Sequence, residues 1–71
     1  MVIELEKDQQ HCTLSVQSDL FGNVIFVQIA TRKLATGKIG VWRKTVSFNE
    51  ELEAKLFLFD VEVKYRKRGY I

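Results

Sequence analysis

The sequence predicts an α+β domain: a small antiparallel sheet of about four strands, with one C-terminal helix packed on one face. Two observations predict this class. Most of the chain alternates apolar and polar residues, and a single helical pattern occupies its end. Strands followed by one terminal helix are typical of α+β domains. With 71 residues, the chain has room for a single domain, residues 1–71, with one compact core.

Period-two alternation marks the strands. Cys12, Leu14 and Val16 alternate with Thr13 and neighbouring polar residues, a pattern typical of a half-buried strand. Applied along the chain, the pattern predicts strands near 2–6, 11–17, 24–31 and 39–47. The stretch "NVIFVQIA" is more continuously apolar and suits a central strand. The connections "KDQQ", "SDLFGN" and "KLATGK" carry the polar residues and glycines that turns require.

The C-terminal segment fits two patterns. Phe59, Val61 and Val63 alternate with charged residues as they would in a strand, yet five residues also share one helical face: Ala54, Phe57, Leu58, Val61 and Tyr65. End signals favour the helix. Ser47 and Glu50 have capping-box spacing, Asn49 is a second N-cap candidate, and basic residues precede Gly69. We therefore predict a helix over about 50–67.

The aromatic residues are predicted to form the core. Phe21, Phe26, Phe48, Phe57 and Phe59 are spread over turn, strand and helix, as core aromatics usually are. Leu20 and Phe21 lie in the "SDLFGN" turn, whose Gly22-Asn23 pair suits a hairpin. We interpret these two apolar residues as a plug that closes one end of a small core beneath the helix. Cys12 is interpreted as a small buried apolar residue.

Composition argues against several classes. At 46% apolar and 28% charged residues, the chain is typical of a globular domain rather than a disordered one. No apolar run is long enough for a membrane helix, and a lone cysteine gives no disulfide framework, so we expect a cytoplasmic protein without membrane association. His11 and Cys12 are adjacent and point to opposite faces of a strand, which argues against a dyad. We expect no enzymatic activity, metal, cofactor or small-molecule substrate.

The charge is uneven although the net charge is only +2. Residues 20–48 contain no acid and five basic residues: Arg32, Lys33, Lys38, Arg43 and Lys44. Such clustering favours an anionic partner, with a solvated charged face as the alternative. Trp42 lies beside two of these cations and could stack on a base or sugar if exposed. A lone Trp is more often buried, and strand alternation does not settle which face is covered; we favour burial.

The stretch "VQSDLFGN" resembles the opening of the Trp-Gly-Arg (WGR) domain, a module of poly(ADP-ribose) polymerases and of many bacterial proteins. The match continues through "ATRKLATGK", where Arg32 and Gly37 coincide with the family pattern, while Ala30 and Thr31 replace its Trp and Gly and Lys38 replaces its Gln. "FNEELEA" is similar to the family's Phe and capped helix, and "YRKRGY" to its basic run ending in Gly-Tyr. The resemblance covers about residues 11–70.

The resemblance implies a non-catalytic module of strands and one helix that grips DNA at a break. In this family the signature Trp and Arg lie at the DNA contact, so the resemblance carries over only Arg32 by identity. From the charge pattern and the resemblance together we predict nucleic-acid-binding residues Arg32, Lys33, Lys38, Trp42, Arg43 and Lys44, holding backbone phosphates of double-stranded DNA or DNA ends. The alternative is a degenerate WGR-like module that binds a protein or forms a homodimer through a sheet edge or the Trp42 face.

Overall fold

The computed structural model describes residues 1–71 and contains one four-stranded antiparallel sheet and one helix. The strands, adjacent in chain order, are β1 (Val2–Lys7), β2 (Gln10–Ser18), β3 (Val24–Lys33) and β4 (Ile39–Phe48), and helix α1 (Glu51–Lys67) follows them. The predicted α+β fold class is confirmed, and each predicted strand and the helix is present with its ends within two residues of the prediction.

The strand register gives the sheet two different faces. Leu5 pairs with Cys12, Cys12 with Ala30, and Ala30 with Trp42, so this row projects to one side. Helix α1 packs on that side, which we call the helix-covered face; no element packs on the other side, the open face. Leu5, Cys12, Leu14 and Phe26, all on the helix-covered face, are at most 1% exposed. The burial predicted for Cys12 is confirmed.

The core-facing side of α1 is the one predicted from its spacing. Ala54 and Leu58 are fully buried. The ring of Phe57 meets that of Phe26 edge-on at 4.9 Å between centroids and that of Phe48 at 5.4 Å. The expected core role therefore holds for these three aromatics. It is wrong for Phe59, which is 41% exposed because it lies on the outward side of the helix.

Helix α1 ends in a Schellman motif. Gly69 has φ 97°, and the N–H groups of Gly69 and Tyr70 donate to the carbonyls of Arg66 and Tyr65 at 3.0 and 3.2 Å. The start of the helix differs from the prediction: Glu50 is the N-cap and makes no side-chain capping bond. Ser47 cannot cap the helix because β4 continues through Phe48, whose partner is Val24.

The residues after the helix tie the C-terminus to the first strand. The Ile71 N–H donates to the Glu6 carbonyl at 2.9 Å, and the Glu6 N–H donates to the Ile71 carbonyl at 2.7 Å. This exchange adds one residue to the outer edge of β1. The other edge of the sheet is β4, and no strand covers it.

The β2–β3 turn does not plug the core. Leu20 is 100% exposed and Phe21 is 89% exposed, so the interpretation of these residues as a core plug is wrong. The physical reason lies in Asp19, whose Oδ1 accepts hydrogen bonds from the N–H groups of Phe21 and Asn23 at 2.8 and 2.9 Å. This self-contained turn holds the two apolar side chains away from the sheet.

Candidate functional site

A groove of about 520 Å³ lies beside the C-terminal end of α1. Its floor comes from the Arg32 end of β3 and the Trp42 end of β4, while the last turn of the helix and Tyr70 form a wall. We call it the basic groove, and define it by three cationic and three aromatic residues: Lys7, Arg32, Arg68, Trp42, Tyr65 and Tyr70. The groove forms because the β3–β4 hairpin extends past the end of the helix.

The electrostatics of the groove are one-sided. Its lining includes three cations and no aspartate or glutamate. Lys7 comes from β1, Arg32 from β3 and Arg68 from the helix C-cap, so residues far apart in the sequence converge here. A concave surface with only positive charges concentrates anions, because the low-dielectric walls focus the field.

Arg68 is positioned by aromatic rings. Its guanidinium carbon lies 4.4 Å from the Tyr65 ring centroid and 5.8 Å from that of Tyr70. The two rings themselves meet edge-on at 4.8 Å. No carboxylate pairs with Arg68, so its forked donors stay available to a phosphate.

Both tyrosines are anchored to the sheet through their hydroxyls. The buried Gln28 amide donates to the Tyr65 hydroxyl, and the Tyr70 hydroxyl donates to the Gln10 side-chain oxygen. Burial raises the pKa of Tyr65, and its hydrogen bond with Cys12 acts in the same direction. The Tyr65 phenol therefore stays neutral to a higher pH than an ordinary tyrosine. The hydrogen bonds of the two tyrosine hydroxyls hold the groove wall in place.

Lys7 offsets the negative end of the helix. Its ammonium donates a hydrogen bond to the Arg68 carbonyl, at the end where the helix dipole presents partial negative charge. Without this cation, the unpaired carbonyls of the last turn would repel an anion in the groove. Lys7 thus reduces the negative potential at this end of the groove.

Trp42 is 52% exposed. The prediction that this residue is buried is therefore wrong, and the alternative, an exposed indole, is correct. β4 is an edge strand, and the helix reaches only its second part. Val46 and Phe48 pack against the core, but Trp42 lies beyond the helix end, where it lines the groove. An aromatic face is therefore accessible next to Arg32 and Arg68.

The structure separates the six predicted site residues. Arg32, Trp42 and Lys44 share the helix-covered face, because the register places them beside Gly40, Ala30 and Gln28. Lys33 and Arg43 alternate with them and project from the open face. Lys38 lies in the β3–β4 turn, which is closed by a 2.8 Å bond from the Leu34 N–H to the Lys38 carbonyl. Only Arg32 and Trp42 line the groove.

The other groove residues were not among the six. Lys7 carries no local signal, since a single cation at the end of a strand is ordinary. Arg68 belongs to the basic run before Gly69, and Tyr65 and Tyr70 bracket that run, so aromatic residues interleaved with cations were the available signal. Sequence spacing does not show that this run folds back beside Trp42.

Comparison of the chain with known protein families and with curated proteins found no match. The 17-residue helix α1 lacks the length and apolar character needed to cross a membrane.

Proposed function

We propose that this chain is a WGR-like, non-catalytic module that binds DNA through backbone phosphates, with a preference for ends or nicks. The observation that carries the proposal is the basic groove, in which three cations and three aromatics meet without a single carboxylate. Phosphates require cationic donors, and bases stack on aromatic faces. Both requirements are met within one surface.

Arg32 and Arg68 are the proposed phosphate contacts. Each guanidinium can place two parallel N–H donors on phosphate oxygens, a geometry that a lysine ammonium does not offer. Lys44 extends the positive surface along the same face of the sheet, while Lys33 and Arg43 point to the other side. The site is therefore smaller than the basic stretch of residues 20–48 suggests.

The exposed indole of Trp42 is the reason to expect that the protein prefers DNA ends to intact duplex. In a continuous duplex each base is stacked between neighbours, so an indole reaches a base face only at an end, a nick or a single-stranded segment. With about half of its surface exposed, Trp42 offers a stacking platform beside Arg32. Stacking of this kind contributes about 1–3 kcal/mol per base.

The test is fluorescence anisotropy with labelled duplexes at two salt concentrations. One probe is a circular duplex that carries a single nick, and the control is the same circular duplex without the nick. Two phosphate contacts predict that affinity falls about 12-fold between about 50 and about 200 mM salt, from the counterion-release slope. Tighter binding to the nicked duplex and this salt dependence support the proposal; no binding at low salt contradicts it.

Substitution of Trp42 separates stacking from charge. Trp42→Ala should weaken binding to the nicked duplex by about fivefold to about 150-fold, the range that corresponds to one lost stacking contact. Binding to the closed duplex should change little, because its bases are not accessible. Equal losses on both duplexes would show that the indole does not recognise an exposed base.

A further inference from the structure

The outward side of α1 carries an apolar stripe. Leu52, Leu56, Phe59 and Val63 are 65%, 60%, 41% and 49% exposed, and nothing in the chain packs on them. Their spacing of four, three and four residues places them on one line along the helix, opposite the side that meets the core. We call these four residues the outer stripe.

The outer stripe differs from ordinary surface apolar residues. Single exposed leucines are common, but a contiguous apolar strip bordered by charge is typical of an interaction site. Polar residues border the stripe on both sides, Glu51 and Lys55 on one and Glu53 and Asp60 on the other. Leu52, Leu56, Phe59 and Val63 fit the alternating a and d positions of a two-helix coiled coil.

The charges beside the outer stripe indicate what covers it. With Leu56 and Val63 at a and Leu52 and Phe59 at d, the g positions are Lys55 and Glu62 and the e positions include Asp60 and Lys67. In a parallel pair each g residue meets the following e residue of the other helix. Lys55 then faces Asp60 of the second copy, and Glu62 faces Lys67 of the second copy, so every such contact joins opposite charges.

The antiparallel alternative is disfavoured by the same pattern. Antiparallel pairing brings e positions together and g positions together. It sets Glu53 against Asp60 of the second copy, both negative, and Lys55 against Glu62, so half of these contacts join like charges, whereas none do in the parallel pair. Within its own helix Lys55 pairs with Glu51 at 3.2 Å in an exposed i,i+4 pair. The partly buried Glu62 binds Arg66 at 2.8 Å through Oε2 alone, so its other carboxylate oxygen can still accept a second partner. We propose that the outer stripe binds the stripe of a second copy of this chain, with the two helices parallel.

The dimer is expected to be weak. Four apolar layers along a helix of about 25 Å form an interface smaller than the roughly 800 Å² per partner of a stable complex. The proposal therefore predicts reversible association with a dissociation constant in the micromolar range. It does not rest on nucleic-acid binding, since the outer stripe and the basic groove use different residues.

Sedimentation equilibrium between about 1 μM and about 1 mM protein tests the proposal, a range that brackets such an affinity. The unaltered protein should pass from monomer to dimer, and Leu56→Asp should remain monomeric over the whole range. The matched control is Leu20→Asp, which places the same charge at another exposed leucine and should dimerise normally. A monomer at every concentration would overturn the proposal and leave the stripe to a different protein.

The orientation has its own test. Lys55→Asp places like charges in the parallel pair and should weaken the dimer, while adding Asp60→Lys should restore it. Leu52→Cys should form a disulfide-linked dimer on mild oxidation, because residue 52 meets its own copy only when the helices are parallel. A dimer that persists but neither crosslinks nor responds to the charge exchange would overturn the parallel arrangement.

Discussion

Truncating two phenylalanines separates a core position from an exposed one. Phe26 is 0% exposed and its ring packs edge-on against Phe57 at 4.9 Å, whereas Phe21 is 89% exposed. Phe26→Ala removes a fully buried ring and should cost about 3–5 kcal/mol. A chain of this length has a total stability of about 4–11 kcal/mol, so this variant should lose a large share of it. Phe21→Ala removes a ring that is mostly in water and should change stability by less than about 0.5 kcal/mol.

Thermal unfolding followed by circular dichroism measures the contrast. For a domain of this size 1 kcal/mol shifts Tm by about 4–8 °C, so Phe26→Ala should lower Tm by more than about 12 °C. Phe21→Ala should lower it by less than about 4 °C, since its contribution is at most a few tenths of a kcal/mol. If both variants lost similar stability, the turn would cover the core and the assignment of Phe21 to the surface would be refuted.

Three further outcomes follow from local geometry. Burial raises the pKa of the Cys12 thiol, so it should react with a thiol reagent far more slowly in the native protein than in urea, and comparable rates would contradict its burial. Gly69→Ala puts a Cβ on a residue with a left-handed backbone conformation, 3.4 Å from the Lys7 Cε. Urea unfolding should show that this variant loses about 1–2 kcal/mol of stability, and Gly40→Ala is the less costly control. Desolvation opposes the shift, but hydrogen bonds from Asn23 and the Phe21 N–H lower the pKa of Asp19. The stabilisation that Asp19 gives the turn is therefore complete above the ordinary Asp pKa and is lost only as pH falls through the lower pKa of the folded state. An NMR titration of Asp19 with an ordinary midpoint would contradict this.

Local patterns predicted the elements because each element buries one side. Cys12, Leu14 and Val16 alternate with polar residues and face the helix, and Ala54 and Leu58 repeat at helical spacing and face the sheet. The capping-box prediction at Ser47 failed because a three-residue spacing does not reveal that a strand continues through it. Cross-strand pairing to Val24 decides where β4 ends, and that is a long-range property.

The groove was only partly predictable because it also depends on contacts between residues far apart in the sequence. Arg32 was identified from the acid-free stretch and the family resemblance, and Trp42 from the two cations beside it in that stretch. Lys7 and Arg68 join them through the pairing of β1 with β2 and the return of the chain after α1, neither of which a linear pattern encodes. The exposure of Trp42 likewise depends on where the helix stops, because Trp42 lies on the helix-covered face beyond the end of the helix.

The central claim is tested most directly by reversing two charges on opposite faces of the sheet. Arg32→Glu and Arg43→Glu change net charge equally, but only Arg32 lines the basic groove. Measured by anisotropy with the nicked duplex, Arg32→Glu should weaken binding by at least about tenfold, the cost of losing one charge-assisted contact, while Arg43→Glu should have a much smaller effect. Equal losses for the two variants would show that binding reflects net charge alone and would contradict a DNA site in the groove.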